Sequence, residues 1–220
     1  RLMALADETV SGQPDIYRLF THRLDQQSAN SALRRQLDEL VAGSHPLIAC
    51  ITQPMRQLIQ TQLSVTRDRI SREFDLRGAS IGNLIIAGGY LNNQQQLDPI
   101  VFLFSRLVKV LGEVQTITNA PLHLMAELAN GEKVMGQHRL TGKEVAPIDS
   151  PVQHIWLSSQ QEQDDVATVR ITDDKRQLIE AADLICYPPG SFYSSLLANL
   201  LPEGVGDAIL ANPNPKVYVP

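Results

Sequence analysis

A chain of 220 residues, 43% hydrophobic and 20% charged, has the composition of a folded globular protein with a sizeable core. Its formal net charge of −5 argues against a general nucleic-acid binder while leaving room for a single phosphate site. No stretch reaches the ~18 apolar residues of a membrane span, so no membrane partner is expected.

No signal-peptide pattern opens the chain, and Cys50 and Cys186 form no C-x-x-C; reduced thiols in a cytoplasmic protein are expected. The sequence begins at Arg1 inside a helix-like R-L-M-A-L-A-D and closes on K-V-Y-V-P, which reads as a buried strand plus one residue. Both ends read as cuts through a larger protein.

The first 70 residues read as helices. Pro14 to Leu24 puts Ile16, Leu19, Phe20 and Leu24 on one face. Ser28 or Ser31 caps the next helix, Leu33, Leu37, Leu40 and Val41 form its stripe, and Gly43 ends it. A third helix starts at Pro54, with Met55, Leu58, Ile59, Leu63 and Ile70 inward. Its Arg56, Arg67, Arg69 and Arg72 read as a solvated face rather than a phosphate patch.

The stretch Phe74 to Asn93, F-D-L-R-G-A-S-I-G-N-L-I-I-A-G-G-Y-L-N-N, sorts polar from apolar sharply. Asp75, Arg77, Ser80 and Asn83 are spaced by Gly78, Ala79 and Gly82, and an uncharged run follows. It reads as a fully buried helix whose polar start offers bare N–H groups to an anion. A capped core helix whose glycines only permit close packing explains the same residues. After the polar N-N-Q-Q-Q, Asp98 caps a helix with Pro99 at its first position. Ile100, Leu103, Phe104, Leu107, Val108 and Leu111 are buried in it, and Gly112 stops it.

Val114 to Thr118 has strand composition, and Leu122 to Arg139 is a hairpin around Asn130-Gly131. A two-residue turn pairs Ala129 with Glu132 and sets His123 opposite His138. Glu127 stands about 13 Å along the strand, so a surface histidine pair is the expectation rather than a metal site. Val152 to Leu157 is a strand, Ser158 to Asp165 a polar, mobile loop, and Asp173 or Asp174 caps a helix through Ala182.

Then D-L-I-C-Y-P-P-G-S-F-Y-S-S-L-L-A-N-L-L-P takes the form strand, tight loop, helix. Leu184 to Tyr187 is the strand. Gly190 and Ser191 sit at the helix start, and Leu196, Leu197, Leu200 and Leu201 pack it down. Bare N–H groups there, with hydroxyls from Ser191, Ser194 and Ser195, suit a phosphate at the carboxyl end of a strand. A capped structural helix is the alternative. Pro202 to Asn212 and the strand Lys216 to Val219 complete a β-α-β unit. No G-x-x-x-x-G-K-[ST], G-x-G-x-x-G, G-x-S-x-G or H-E-x-x-H is present, so nothing points to a covalent nucleophile.

R-G-A-S-I-G-N-L at Arg77 to Leu84 and A-D-L-I-C-Y-P-P-G-S-F-Y-S-S-L-L-A-N-L at Ala182 to Leu200, with the N-G-E-K-V-M-G hairpin and K-V-Y-V between and after them, resemble the CofD-like superfamily. That superfamily holds 2-phospho-L-lactate transferases and YvcK-like gluconeogenesis factors, and the resemblance covers about Phe74 to Val219. CofD-like proteins of a few bacterial gene clusters resemble the chain more closely still. The P-G-S-x-Y-x-S loop at Pro189 to Ser195 is similar to the factors, which bind UDP-sugars; a P-S-N-P-type loop of the transferases is absent.

The resemblance implies a Rossmann-like three-layer α/β/α fold with an inserted β-hairpin and a helical N-terminal third. It implies one truncated domain over 1–220, with a helical part at 1–73 and an α/β part holding the nucleotide site at 74–220. Gly190, Ser191, Tyr193 and Ser194 become nucleotide contacts, with Arg77, Gly78, Ser80, Gly82 and Asn83 as the facing wall of one cleft. The family's leading G-G-T-G loop is missing, which implies a fragment. The expected function is nucleotide-diphosphate or UDP-sugar binding by a metabolic regulatory factor. A transferase moving a phosphate-linked group is the alternative, with Mg²⁺ as candidate cofactor held by Asp75 or Asp183; a decayed interaction module is the third reading. A nucleotide or nucleotide-sugar is the expected partner, and a second copy of the chain is a further candidate.

Overall fold

The structure is a computed structural model that describes residues 5–7, 13–140, 148–159 and 165–219. The chain forms two compact units, Arg1–Asn119 and Ala120–Pro220. Residues 74–119, expected in the α/β part, pack within the first unit.

The first unit is helical: α1 (Pro14–Thr21), α2 (Asn30–Ala42), α3 (Pro46–Ala49), α4 (Met55–Arg69), α5 (Ile81–Asn92) and α6 (Asp98–Leu107). Proline opens α1, α3 and α6, where its missing N–H costs nothing. The expected stripes close one core: Ile16, Leu19, Phe20, Leu33, Leu37, Leu40, Ile59, Leu63, Ile81, Ile85, Ile100 and Phe104 are all buried. Gly43 ends α2 in the left-handed region at φ 84°.

Neither Ser28 nor Ser31 caps α2; Ala29 precedes it with no side-chain cap. Ser28 instead donates to Asp25 at 2.7 Å. Asn30, the first residue of α2, turns its amide on the loop ahead of α5. It accepts the Leu76 N–H at 3.0 Å and donates to the Phe74 carbonyl at 2.9 Å.

α4 and α5 approach to backbone contact. A Cβ on Gly88 would stand 1.8 Å from the Gln62 carbonyl oxygen, so only glycine fits. Thr66 donates across the same crossing to the Leu84 carbonyl at 2.6 Å, which explains why Gln62 and Thr66 are buried. α5 is not buried all round, however. Asn83 and Ala87, one turn apart, form an exposed stripe.

The cap of α6 comes from a distance. Asn119 accepts both the Leu97 and the Asp98 N–H at 3.1 Å. Asp98 does not cap its own helix; its carboxylate takes the Thr116 N–H and hydroxyl and, at 2.7 Å, the Asn119 amide. The Thr116 N–H is thereby spent on a side chain, and no strand forms over Val114–Thr118. α6 also stops at Leu107, short of Gly112. The Leu111 N–H donates to the Leu5 carbonyl at 2.7 Å, and Leu111 is exposed.

The second unit holds β1 (His123–Leu128), β2 (Lys133–Met135), α7 (Gln137–Leu140), β3 (Val152–Ser158), α8 (Asp173–Glu180) and β4 (Ile185–Tyr187). A π-helical segment (Phe192–Leu197) runs into α9 (Ala198–Leu200), and α10 (Val205–Ala211) and β5 (Lys216–Tyr218) follow. One antiparallel sheet has the order β2-β1-β3; β4 and β5 pair in parallel. Leu124, Ala126, Leu128 and Val134 form a core with Ile155, Leu157, Ala198 and Leu201 against it.

The hairpin forms one residue out of the expected register. Met125 faces Met135 and Glu127 faces Lys133, while the Leu128 N–H bonds the Glu132 carbonyl at 2.9 Å. The loop is therefore Ala129-Asn130-Gly131, with Gly131 left-handed at φ 84° as a three-residue turn requires. Gly136, at φ 95°, then breaks β2 into α7. His123 pairs with Ser158 rather than His138, which lies in α7.

Thr172 rather than Asp173 or Asp174 precedes α8, and the helix ends at Glu180 instead of Ala182. Asn212 sets that end. Its amide, in a buried residue, donates to the carbonyls of Ile179, Glu180 and Ala182 at 2.8, 3.1 and 2.8 Å. The closing strand, expected to be buried, is exposed along Lys216–Tyr218. Most of the polar loop after Ser158, residues 160–164, lies outside the described residues. No helix among the described residues is long and apolar enough to cross a membrane.

Candidate functional site

The expected contacts lie in both units, and each group stands on its own local geometry. In the first unit, backbone bonds stitch the loop ahead of α5 to the residues after α1. The Leu24 N–H donates to the Ala79 carbonyl at 2.9 Å, the Gly78 N–H to Leu24 at 3.0 Å and the Ile81 N–H to His22 at 3.0 Å. Gly78 takes φ 68°, and its carbonyl accepts from Arg23 at 3.0 Å.

Ser80 caps α5 by accepting the Asn83 N–H at 3.3 Å. Gly82 is buried against Phe20, where a Cβ would meet the Phe20 carbonyl oxygen at 2.5 Å. Close packing thus accounts for this glycine. Asn83 is exposed.

Arg77 and Asp75 form a forked pair at the surface. The guanidinium Nε bonds the two carboxylate oxygens at 2.9 and 3.0 Å, and Nη2 bonds Oδ2 at 2.7 Å. The Arg77 N–H adds a bond at 3.0 Å. These donors hold the Asp75 carboxyl down at about 2, the side-chain bond contributing most. An incoming phosphate would compete with Asp75 for the Arg77 fork. A cation would find both Asp75 oxygens engaged, and no group of three or more His, Cys, Asp or Glu among the described residues could hold a metal.

In the second unit, β4 delivers Pro188 and Pro189 to an exposed loop. Gly190 takes φ 156°, a conformation side chains rarely adopt, yet its neighbourhood is roomy. A Cβ there would stand 3.6 Å from Ser195 Cβ, an ordinary contact. Ser191 caps the following helix by accepting the Ser194 N–H at 3.3 Å. Ser194 is buried, so its hydroxyl is the least available of the three serines. Tyr193 packs edge-on to Phe192, ring centroids 5.3 Å apart.

The CofD family profile, described as 2-phospho-L-lactate transferase CofD, matches residues 2–220. The chain belongs to the CofD family. Curated relatives include the gluconeogenesis factor of Listeria monocytogenes, 28% identical over 197 residues, and that of Bacillus subtilis, 27% identical over 195. Each alignment takes in 89% of this chain and 56% of the relative, so the chain spans about half of their length. Among solved structures, a Bacillus halodurans protein is 24% identical with a TM-score of 0.53, across 89% of this chain and 58% of that one. A second structure of that same protein, described as a member of the UPF0052 family, gives 23% and 0.52, covering 89% and 57%. They establish a shared α/β fold.

Two features of this CofD-family chain escaped sequence reasoning. The helix after Ser191 begins as a π-helix, a form enriched at functional sites. Its carbonyls draw on side chains outside it: Gln137 donates to Ser194 at 2.9 Å and Asn199 to Ser195 at 2.5 Å. Glutamine and asparagine carry no periodic signal that could have announced these bonds. Separately, Ile155, Trp156, Val166, Thr168, Leu201 and Glu203 help line a cleft of about 180 Å³, smaller than a typical ligand pocket.

Proposed function

We propose that this CofD-family chain contributes a nucleotide-diphosphate or UDP-sugar site to a metabolic regulatory factor of the cytoplasm. The observation that carries the reading is the match to gluconeogenesis factors over 89% of the chain, which takes in the exposed Pro188–Ser191 loop. That loop leads from β4 into a serine-capped start with room for a Cβ at Gly190. Backbone N–H groups at such a start, with the Ser191 hydroxyl, suit a phosphate. Within the first unit, the planar fork of Arg77, with Ser80 and Asn83 nearby in the chain, is a second candidate phosphate contact.

Isothermal titration of the full gene product with UDP-sugars and guanosine diphosphate tests it. Binding without turnover is expected, and Arg77→Lys should bind about tenfold more weakly because lysine cannot reproduce the fork. Equal affinity of Arg77→Lys and wild type would remove Arg77 from the site. No binding by the wild type would end the reading.

The family description, 2-phospho-L-lactate transferase, motivates a second reading, a transferase moving a phosphate-linked group from a nucleoside diphosphate donor. Turnover of such a donor with Mg²⁺ separates the two. Asp183, exposed beside β4, is then the better candidate for the cation than Asp75, whose oxygens Arg77 already occupies.

A further inference from the structure

The hairpin turn carries chemistry that neither phosphate reading uses. Asn130-Gly131 is the one Asn-Gly pair in the sequence. Both residues are exposed. Glycine leaves its own nitrogen uncrowded, and a Cβ on Gly131 would meet nothing within 4 Å. An asparagine amide followed by such a nitrogen is open to attack by it, one reason asparagine is a thermolabile residue.

Three hydrogen bonds bear on that attack. The Glu132 N–H donates to Asn130 Oδ1 at 3.0 Å. It holds the side chain over the turn and stands where negative charge develops when Cγ is attacked. The other two bonds oppose the reaction. The Gly131 N–H is committed to the Leu128 carbonyl at 2.9 Å, so the nitrogen keeps its proton while the turn is closed. The Asn130 N–H donates to the Ser150 hydroxyl at 3.2 Å, which ties the turn to the segment before β3. The closed turn therefore holds and polarises the amide, and the nucleophile is released only when the turn opens.

We infer that Asn130 is a site of self-modification gated by its own turn. When the Gly131–Leu128 bond opens, the Gly131 nitrogen loses its proton to solvent and its electron pair forms a bond to Asn130 Cγ. The Cγ–Nδ2 bond breaks and Nδ2 leaves as ammonia, giving a cyclic imide. Water then opens the imide. Cleavage between Cγ and the Gly131 nitrogen leaves aspartate. Cleavage between that nitrogen and the main-chain carbonyl carbon of Asn130 leaves isoaspartate, with the chain running through the β-carbon. Water is consumed and ammonia released; nothing is oxidised or reduced. Both products place a new carboxylate beside Glu132. Isoaspartate also lengthens the backbone of the turn that sets the β1–β2 register. The inference is independent of the nucleotide reading.

The test follows the full gene product at mildly alkaline pH by peptide mass spectrometry, with isoaspartate scored by methyl transfer from an isoaspartate methyltransferase. The peptide holding Asn130 should gain the mass difference between an amide and a carboxylic acid, and isoaspartate should be among the products. Asn30 is the internal reference. Its amide is tied at both ends, to Leu76 and Phe74, and it should stay intact. Ser150→Ala removes one tie and should speed the reaction about fivefold, the open turn gaining population by the worth of a hydrogen bond. Exchange of the Gly131 amide should quicken by the same factor. Gly131→Asn places a residue that tolerates φ 84° but crowds the nitrogen, and should abolish the product. Should it not fold, Asn130→Gln, which must close a larger ring, takes its place. Asn130 as durable as Asn30 overturns the site. Product that persists in these two variants overturns the chemistry. A Ser150→Ala rate that does not follow Gly131 exchange overturns the gate.

Discussion

At the start of α5 the Ser80 hydroxyl accepts the Asn83 N–H at 3.3 Å; at the start of the π-helical segment the Ser191 hydroxyl accepts the Ser194 N–H at the same distance. The caps are alike and the surroundings are not. The first start is stitched to residues 22–24 through their backbones, and its Gly82 lies against the Phe20 carbonyl. The second follows an exposed loop, its Gly190 has room for a side chain, and its helix departs from the α register. A serine-and-glycine helix start can therefore be a packing joint or an open end. Residue types alone do not distinguish them, because the distinction lies in what occupies the space beside the glycine.

The largest expected effects separate the two starts by stability. Gly88→Ala forces a Cβ into the Gln62 backbone at the α4–α5 crossing and should cost about 3 kcal/mol. Gly82→Ala, against Phe20, should cost about 2 kcal/mol. Gly190→Ala should cost about 1 kcal/mol, from backbone conformation alone. Urea unfolding of the three variants measures the order, and equal losses at Gly82 and Gly190 would erase the contrast.

The caps give a smaller effect. Ser80→Ala should lower stability by about 1 kcal/mol. Ser191→Ala should lower it by about half as much, because its helix is short and its loop is already exposed. Thermal melts of both variants give the comparison. A greater loss at Ser191 would make the second start the structural one.

The smallest effect concerns the forked pair beside the first start. Asp75 is depressed from the usual 3.8 to about 2, chiefly by the Arg77 side chain and then by its N–H. A depressed carboxyl contributes its full stabilisation above pH 3.8, and that contribution is lost as pH falls through about 2. Both groups are more than half exposed, so the effect on the melting temperature is slight and the carboxyl resonance is the better probe. Its midpoint in an NMR titration should lie near 2 and return toward 3.8 in Arg77→Ala. A wild-type midpoint at 3.8 would mean that the fork is not formed in solution and that Arg77 needs no release to meet a phosphate.

Much of this was legible in the residues. The apolar stripes of α2 and α6, the left-handed stop at Gly43, the hairpin at Asn130-Gly131 and the strand-loop-helix of Leu184 to Leu201 follow from short-range rules. The family followed from two ordered motifs with that hairpin between them. The missed helix ends share one cause. Asn119 caps α6, Asn212 ends α8 and Asn30 holds the loop before α5, each from 20 or more residues away. The expected caps at Asp98, Asp173 or Asp174 and Ser28 or Ser31 assumed a local partner. The hairpin register missed by one residue because Gly131 alone takes the left-handed turn, which adds Ala129 to the loop and removes the His123–His138 pair.

By itself the sequence determined most of the segments that become helix or strand, since the spacing of apolar side chains and the conformations open to glycine and proline act within a few residues. It also determined the family, through the order of its motifs. Tertiary structure decided which glycine is packed against backbone and which has room for a side chain, and that the Gln137 amide meets the Ser194 carbonyl. Those outcomes depend on atoms brought together from distant parts of the chain, and a polar side chain such as glutamine carries no periodicity that would reveal its partner beforehand.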